Sequence, residues 1–142
     1  MTFSSPALID LPKFLDERGN LTFLQCPDQI PFVVRRSFWI YGIPGGEQRG
    51  GHAYYTQEEL IVALSGSFDI VITNYDNSTQ KYSLNRSYYG LYVPALTWRH
   101  MENFSTNALS LHVSSSVYNR KDYIYDFNVF QQLGQEKAGN GI

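Results

Sequence analysis

A histidine and a tyrosine separated by a single residue, His52 and Tyr54, have the types and spacing best suited to chemistry in this chain. Alternate residues of a β-strand share a face, so a strand here would point both side chains the same way. An imidazole titrates near neutral pH, whereas a phenol has an ordinary pKa of about 10. We therefore interpret His52 as a candidate base and Tyr54 as a second group that carries a proton.

Short segments rich in Val, Ile and aromatic residues predict the strands that must position this pair. In the last of them, Leu109, Leu111 and Val113 share one face. Short strands at regular spacing favour an all-β sandwich or barrel. The predicted strands cover residues 21–24, 32–41, 52–55, 60–64, 68–73, 81–84, 90–93, 98–104 and 108–114.

The end of the chain predicts a short helix followed by a tail. Tyr123, Phe127 and Phe130 recur at the spacing of one helical face, and Asp122 is a suitable N-terminal cap. We expect this face to pack on the barrel or on a partner subunit. The polar, glycine-containing segment 134–142 is predicted to be a flexible tail of a single domain that spans residues 1–142.

Composition and charge exclude several classes of partner. The net charge of the 142 residues is −2, and no cluster of Lys and Arg forms the basic surface that binds nucleic acid. The sequence contains no run of 18 apolar residues, so it predicts no membrane-spanning helix. The first ten residues lack the basic start and apolar core of a signal peptide, and Cys26 is the sole cysteine. We therefore expect a cytoplasmic protein without an internal disulfide.

Residues 44–66 resemble the first sequence motif of the cupins, which are jelly-roll barrels also called double-stranded β-helices. That motif contains a glycine, His-x-His, a glutamate and a later glycine. His52, Glu59 and Gly66 hold the first histidine, the glutamate and the later glycine, whereas Tyr54 holds the place of the second histidine. The resemblance implies a cupin barrel with a short C-terminal helix.

The second cupin motif is matched only in part. Pro94 and Asn103 hold their places, but Leu96 replaces a glycine and Arg99 replaces a metal-binding histidine. A guanidinium is always protonated and has no lone pair to donate to a metal. We therefore predict that the protein uses no metal. The site that remains is a cationic cup lined by aromatic residues and suited to an anionic ligand.

Further segments, in order along the chain, resemble the dTDP-4-dehydro-6-deoxyglucose 3,4-ketoisomerases, a group of sugar-modifying cupins. The matching segments are residues 16–21, 30–32, Arg36 with 38–40, 49–53, 60–67, 90–94 with Trp98, and 122–124 with Phe127. The resemblance implies an isomerase that moves the ketone of a dTDP-linked 4-keto-6-deoxyhexose from C4 to C3 through an enediol, with no cofactor. It also implies a role in deoxysugar and polysaccharide biosynthesis, and a homodimer whose N-terminal strands cross between subunits.

The same resemblance suggests which residues contact the substrate. Arginine binds phosphate oxygens in bidentate fashion, so arginines are candidates for the diphosphate and for an oxyanion. In this family the second proton carrier is typically a histidine, and Tyr54 stands in its place. His100 follows Arg99 directly and is expected to face the other way. The predicted substrate-binding residues are Arg18, Arg36, Arg49, Trp98 and Arg99.

Two other functions fit the same residues. An epimerase acting on a dTDP-sugar also uses a histidine base and a tyrosine acid, although no His–Asp pair is evident in the sequence. A cupin that lacks the second histidine could instead bind a nucleotide sugar without turning it over. Proton exchange at C5 would indicate the epimerase, and binding without turnover would indicate the binding module.

Overall fold

The computed structural model describes residues 5–140, and twelve strands and one α-helix lie within that range. This mostly β architecture with one C-terminal helix confirms the predicted fold class. In chain order the elements are β1 (Ala7–Asp10), β2 (Lys13–Asp16), β3 (Gly19–Thr22), β4 (Arg36–Tyr41), β5 (Arg49–Tyr54), β6 (Glu59–Ser65), β7 (Phe68–Thr73), β8 (Thr79–Leu84), β9 (Tyr89–Val93), β10 (Trp98–Glu102), β11 (Leu109–Ser114), β12 (Tyr123–Ile124) and α1 (Phe127–Asn140).

Two five-stranded antiparallel sheets form the barrel. The first sheet has the order β1-β9-β6-β11-β4 and the second has the order β12-β5-β10-β7-β8, while β2 and β3 form a separate hairpin. The two sheets face each other across the main core, to which Ile61 and Leu91 contribute from the first sheet and Ile70 and Met101 from the second. Burial of such side chains is the main favourable contribution to folding.

The outer faces of the two sheets are covered by different parts of the chain. On the first sheet, Ile30 and Phe32 from the segment before β4 pack with Leu60 and Val62. On the second sheet, helix α1 packs Phe130 against Ala53. Both faces of each sheet therefore carry apolar side chains, which explains why strands β6 and β7 are nearly continuous apolar runs.

The C-terminal helix differs from the sequence prediction at both ends. Asp126, and not Asp122, caps it, because the Asp126 carboxylate accepts the Asn128 N–H at 2.8 Å. Tyr123 lies on strand β12. Residues 134–140, predicted as a flexible tail, continue the helix, and Gly134 allows it to lie against the ring of Tyr75. The last two residues of the predicted tail lie outside the described range.

None of the helices in the described part of the chain is long and apolar enough to cross a membrane.

The tight turn between β6 and β7 depends on Gly66, which has a left-handed φ of 65°. A Cβ at this position would meet Ser105 Oγ and would lie 2.9 Å from the Ala108 Cα. Gly42 has nearly the same φ, 66°, but a Cβ added there would have no atom within 4 Å. Replacing each glycine by alanine therefore separates the free-energy cost of a left-handed backbone from the cost of steric crowding.

We expect Gly42→Ala to lower the free energy of unfolding by about 1 kcal/mol, the cost of a left-handed alanine. Gly66→Ala should lower it by roughly 1–3 kcal/mol more, because the backbone at Ala108 must also move. Urea denaturation of both variants measures the difference. Equal losses in the two variants would show that the turn relaxes around the added methyl group.

Candidate active site

A cavity of about 420 Å³ lies between the two sheets. Strands β5 and β10 of the second sheet form one wall, and strands β4, β6 and β11 of the first sheet form the other. Phe38, Ile40, Ile61 and Met101 supply apolar lining. The polar and aromatic lining residues are Gln48, Arg49, His52, Tyr54, Glu59, Arg99, His112, Tyr123 and Tyr125.

Strand β5 places His52 and Tyr54 in this cavity, on the same face as the spacing predicted. Their rings meet edge to face with centroids 4.8 Å apart. Gly50 allows β10 to approach closely, since a Cβ there would lie 3.1 Å from the Cα of His100. The close approach brings Arg99 directly opposite His52 in the strand register.

The loop between β5 and β6 is fixed by one buried carboxylate. Asp122 accepts the Thr56 N–H at 2.9 Å, the Thr56 hydroxyl at 2.9 Å and the Gln57 N–H at 3.1 Å. Hydrogen bonds to a charged acceptor are stronger than those between neutral groups. Asp122 therefore sets the path of the chain from Tyr54 to Glu59.

A buried ion pair forms the floor of the cavity. Arg99 Nη1 donates to Glu59 Oε1 at 2.6 Å, and the two side chains are only 2% and 3% exposed. Arg99 Nε also donates to the Thr97 carbonyl at 3.1 Å. The guanidinium carbon lies 4.9 Å from the centroid of the Tyr54 ring. Glu59 comes from the first sheet and Arg99 from the second, so the pair also joins the two walls.

Burial and the charges of the ion pair together set the protonation of the groups at the floor. Burial alone would raise the pKa of Glu59, but the Arg99 charge and the contact with His112 lower it below its usual range. Burial lowers the pKa of His52 to about 4, and the positive charge of Arg99 adds to this effect. At neutral pH the floor therefore holds a carboxylate, a guanidinium and a neutral imidazole.

Tyr54 remains a neutral phenol through the physiological pH range. Burial raises its pKa well above the usual value of 10, and the Glu59 charge and a hydrogen bond with Tyr123 raise it further. The Tyr54 and Tyr123 rings lie 4.7 Å apart. A phenol with a raised pKa is a weak acid, but its hydroxyl can still donate one hydrogen bond while accepting another.

Sequence reasoning missed His112, which also lines the cavity. Its ring stacks on Phe38 with centroids 4.4 Å apart, and its Nε2 lies 3.0 Å from the Ser110 hydroxyl. The alternation on β11 identifies its apolar face, but that face points outward. Ser110, His112 and Ser114 face the interior and are buried. The signal available in the sequence was the alternation itself, because Ser110, His112 and Ser114 form a second, polar face of the same strand.

The other predicted site residues lie at different distances from the cavity. Arg49 lines it. Arg36 lies beside it, donates to Gln57 at 2.9 Å and stands over the ring of Phe38. Arg18 is exposed on the β2–β3 hairpin, where it pairs with Asp16 at 2.9 Å.

Trp98 is not in the cavity. Successive residues of a strand face opposite sides, and Arg99 takes the inward position on β10. Trp98 instead packs edge to face on Phe127 of helix α1, with centroids 5.1 Å apart. Trp98 therefore does not line the cavity, and its contact with the substrate stays a prediction. His100 faces the outer side, as expected, and its Nε2 lies 2.6 Å from Glu102 Oε1.

Four buried polar atoms of the cavity have no hydrogen-bond partner among the described residues: His52 Nε2, Glu59 Oε2, Arg99 Nη2 and His112 Nδ1. Buried polar groups are nearly always paired, with protein, water or a ligand. These four atoms lie in one cavity and include both hydrogen-bond donors and an acceptor. They therefore suit a ligand that carries polar oxygens on adjacent atoms.

The same residues do not fit a metal ion. No group of three or more His, Cys, Asp and Glu side chains that could hold one occurs among residues 5–140. Arg99 occupies the place of a histidine ligand, and its guanidinium is held by Glu59. A fixed positive charge at the floor opposes the binding of a cation.

Comparison with known proteins places this arrangement among sugar-nucleotide enzymes. The family model described as FdtA, WxcM-like, C-terminal, matches residues 4–135. The TDP-4-oxo-6-deoxy-alpha-D-glucose-3,4-oxoisomerase of Aneurinibacillus thermoaerophilus is 31% identical over 136 residues, which cover 93% of this chain and 97% of that protein.

Two solved structures are similar over nearly their whole length. A 3,4-ketoisomerase from Helicobacter canadensis is 32% identical with a TM-score of 0.87, covering 92% of this chain and 97% of that one. A mutant of the 3,4-ketoisomerase QdtA from Thermoanaerobacterium thermosaccharolyticum, in complex with TDP-4-keto-6-deoxyglucose, is 25% identical with a TM-score of 0.90. The match covers 96% of this chain and 98% of that one.

The lowered pKa of His52 makes the stability of the protein depend on pH. The imidazole takes up a proton near pH 6.5 in the unfolded chain but only near pH 4 in the folded one. Between these values the unfolded chain binds more protons, so stability falls as the pH falls from 6.5 to 4.

Replacing the imidazole should flatten this part of the stability profile. We expect His52→Asn to remove a loss of stability on the order of 3 kcal/mol between pH 6.5 and 4. Urea denaturation of the native protein and the variant across this range measures it. The same slope in both proteins would mean that His52 titrates normally in the folded state.

Proposed function

The chain belongs to the FdtA family of WxcM-like, C-terminal proteins, and on that premise we propose that it is a sugar-nucleotide 3,4-ketoisomerase. The substrate is TDP-4-keto-6-deoxyglucose, and the product is a TDP-linked 3-keto-6-deoxyhexose. The observation that carries the proposal is the cavity floor, where a neutral imidazole stands opposite a buried guanidinium. A cytoplasmic location is part of the same proposal, since the substrate is a nucleotide-linked sugar.

His52 removes the proton from C3 of the sugar. A general base must be unprotonated at the working pH, and the lowered pKa of His52 keeps it so. As the C3–H bond breaks, its electrons form a C3–C4 double bond, and the former carbonyl electrons move onto O4. Arg99 Nη2, which has no other partner among the described residues, donates a hydrogen bond to the developing oxyanion.

Tyr54 passes a proton from O3 to O4. The hydroxyl at C3 must lose its proton for the new ketone to form, and the oxygen at C4 must gain one. A phenol that donates to O4 while it accepts from O3 completes both transfers without becoming charged. The raised pKa of Tyr54 favours this relay over a role as an independent acid.

Arginines at the mouth of the cavity bind the diphosphate. Arg49 lines the cavity on the same strand as His52, and Arg36 stands beside it over Phe38. Guanidinium groups match the geometry of phosphate oxygens. A contact between Arg18 and the substrate requires the dimer, in which the hairpin of one protomer would reach the cavity of its partner.

The protein acts as a homodimer with exchanged N-terminal strands. A groove of about 740 Å³ lies between the β2–β3 hairpin and the outer face of the first sheet, and Leu11, Leu15, Phe23 and Leu111 contribute to its apolar lining. A large exposed apolar surface of this kind usually contacts another protein, here a second copy of the chain. Exposed apolar residues on the hairpin and the first sheet include Phe14, Leu15, Leu21, Trp39, Tyr41 and Leu64.

An NMR time course with TDP-4-keto-6-deoxyglucose in deuterated water tests the reaction. We expect the native protein to form a 3-keto sugar with deuterium at C4, because the proton delivered to C4 comes from a group that exchanges with solvent. Exchange at C5 alone would instead indicate an epimerase. Binding of TDP without any exchange would instead indicate a protein that binds a nucleotide sugar without turning it over.

Replacing the base should stop the reaction and spare binding. We expect His52→Asn to lower turnover by at least about 10²-fold, since general base catalysis is lost, while TDP still binds. His100→Asn makes the same change outside the cavity and should keep the native rate. A His52→Asn variant within a few-fold of the native rate would remove His52 from this role.

Light scattering tests the assembly. We expect a mass of twice the 16.3 kDa of the protomer. A charge in the contact surface should produce a folded monomer, so Leu64→Glu should halve the mass. Val129→Glu, on the exposed side of helix α1, should leave it unchanged. A native protein that is monomeric at high concentration would contradict the proposal.

A further inference from the structure

The ketoisomerase reaction needs a carrier for one more proton, the one that C4 receives. His52 and Arg99 lie on the wall formed by the second sheet. His112 lies on the opposite wall, on strand β11 of the first sheet, next to Glu59 on strand β6. A sugar ring between the two walls would therefore have an imidazole on each side.

One ring nitrogen of His112 is in hydrogen-bond contact, and the other has no hydrogen-bond partner among the described residues. Its Nε2 contacts the Ser110 hydroxyl at 3.0 Å, and a hydroxyl can donate or accept, so it suits either tautomer of the ring. Its Nδ1 has no hydrogen-bond partner among the described residues, although the side chain is only 4% exposed. Stacking on Phe38 keeps the ring in this orientation.

Glu59 lies close to the same nitrogen, His112 Nδ1. Its Oε2 lies 3.7 Å from His112 Nδ1, while its Oε1 is held by Arg99. A carboxylate beside an imidazole orients the ring and stabilises an imidazolium.

We propose that His112 is a second catalytic residue, which delivers a proton to C4 of the enediol from the wall opposite His52. The inference rests on the proposed ketoisomerase function. The imidazolium N–H bond breaks as the new C4–H bond forms, and the electrons of the C3–C4 double bond supply the new bond. The O3–H bond electrons form the C3 ketone as its proton passes through Tyr54 to O4. Exchange with solvent then returns both histidines to their starting states.

The stereochemistry of the product tests this arrangement without any variant. In a 6-deoxyglucose ring, the hydrogens at C3 and C4 lie on opposite faces. Removal from one wall and delivery from the other therefore predicts the gluco configuration at C4. A single histidine that performed both steps on one face would produce the galacto configuration. Early NMR spectra of a reaction run in ordinary water, in which the coupling between H4 and H5 separates the two, decide between them, and a galacto product would overturn the proposal.

A second test separates the two proton transfers in deuterated water. With His112→Asn, His52 still removes the C3 proton, but the enediol can only return to substrate. We expect deuterium to enter C3 of the recovered substrate at roughly the native rate of C3–H cleavage, while product formation falls by about 10²-fold or more. His100→Asn, the matched control, should show native rates of both.

The remaining outcomes are also distinguishable. Equal losses of exchange and turnover in His112→Asn would indicate a structural role for His112 and overturn the inference, as would native rates of both. If the native protein itself shows neither exchange nor product, the proposed function fails, and this inference fails with it. Melting temperatures and TDP binding show whether each variant is folded.

Discussion

The ion pair between Glu59 and Arg99 is the interaction on which the rest of the site depends. Neither charge could be buried alone, because the cost of removing an ion from water is large unless a partner offsets it. Breaking such a pair by removing one partner typically costs about 3–5 kcal/mol. Because the two residues belong to different sheets, the same contact that satisfies the charges also fixes the distance between the two walls of the cavity.

The Arg99 guanidinium affects both the protonation of the groups at this floor and the hydrogen bonds available to a ligand. Burial lowers the pKa of His52, and the guanidinium adds to this effect and helps to keep Glu59 ionised. Its Nη2 has no partner among the described residues and is available where a sugar oxygen would acquire charge. A base that is neutral and a donor that is always charged are the two properties that enolisation next to a ketone requires. Burial provides the first property, with a contribution from Arg99, and the ion pair holds the guanidinium that provides the second.

The barrel keeps this polar floor apart from the apolar surfaces that stabilise it. Helix α1 covers one sheet, and the segment before β4 covers the other, so each sheet is supported from outside. Strand β11 shows the consequence most clearly. Its apolar residues Leu111 and Val113 pack outward, which leaves Ser110 and His112 to face the cavity.

The sequence by itself determined the fold class, the family and the placement of His52 with Tyr54, because period-two alternation and ordered motifs are local properties of the chain. It also determined that Arg99 cannot be a metal ligand, since that follows from the chemistry of a guanidinium. Which face of a strand points inward was decided only by the tertiary structure. A strand covered on both sides carries apolar residues on both faces, so alternation alone cannot identify the cavity side. For that reason the sequence did not identify His112. Trp98 was predicted as a substrate contact from the family resemblance, and the structure places it against helix α1, outside the cavity. The contact of Glu59 with His112 likewise depends on strands that meet only after folding.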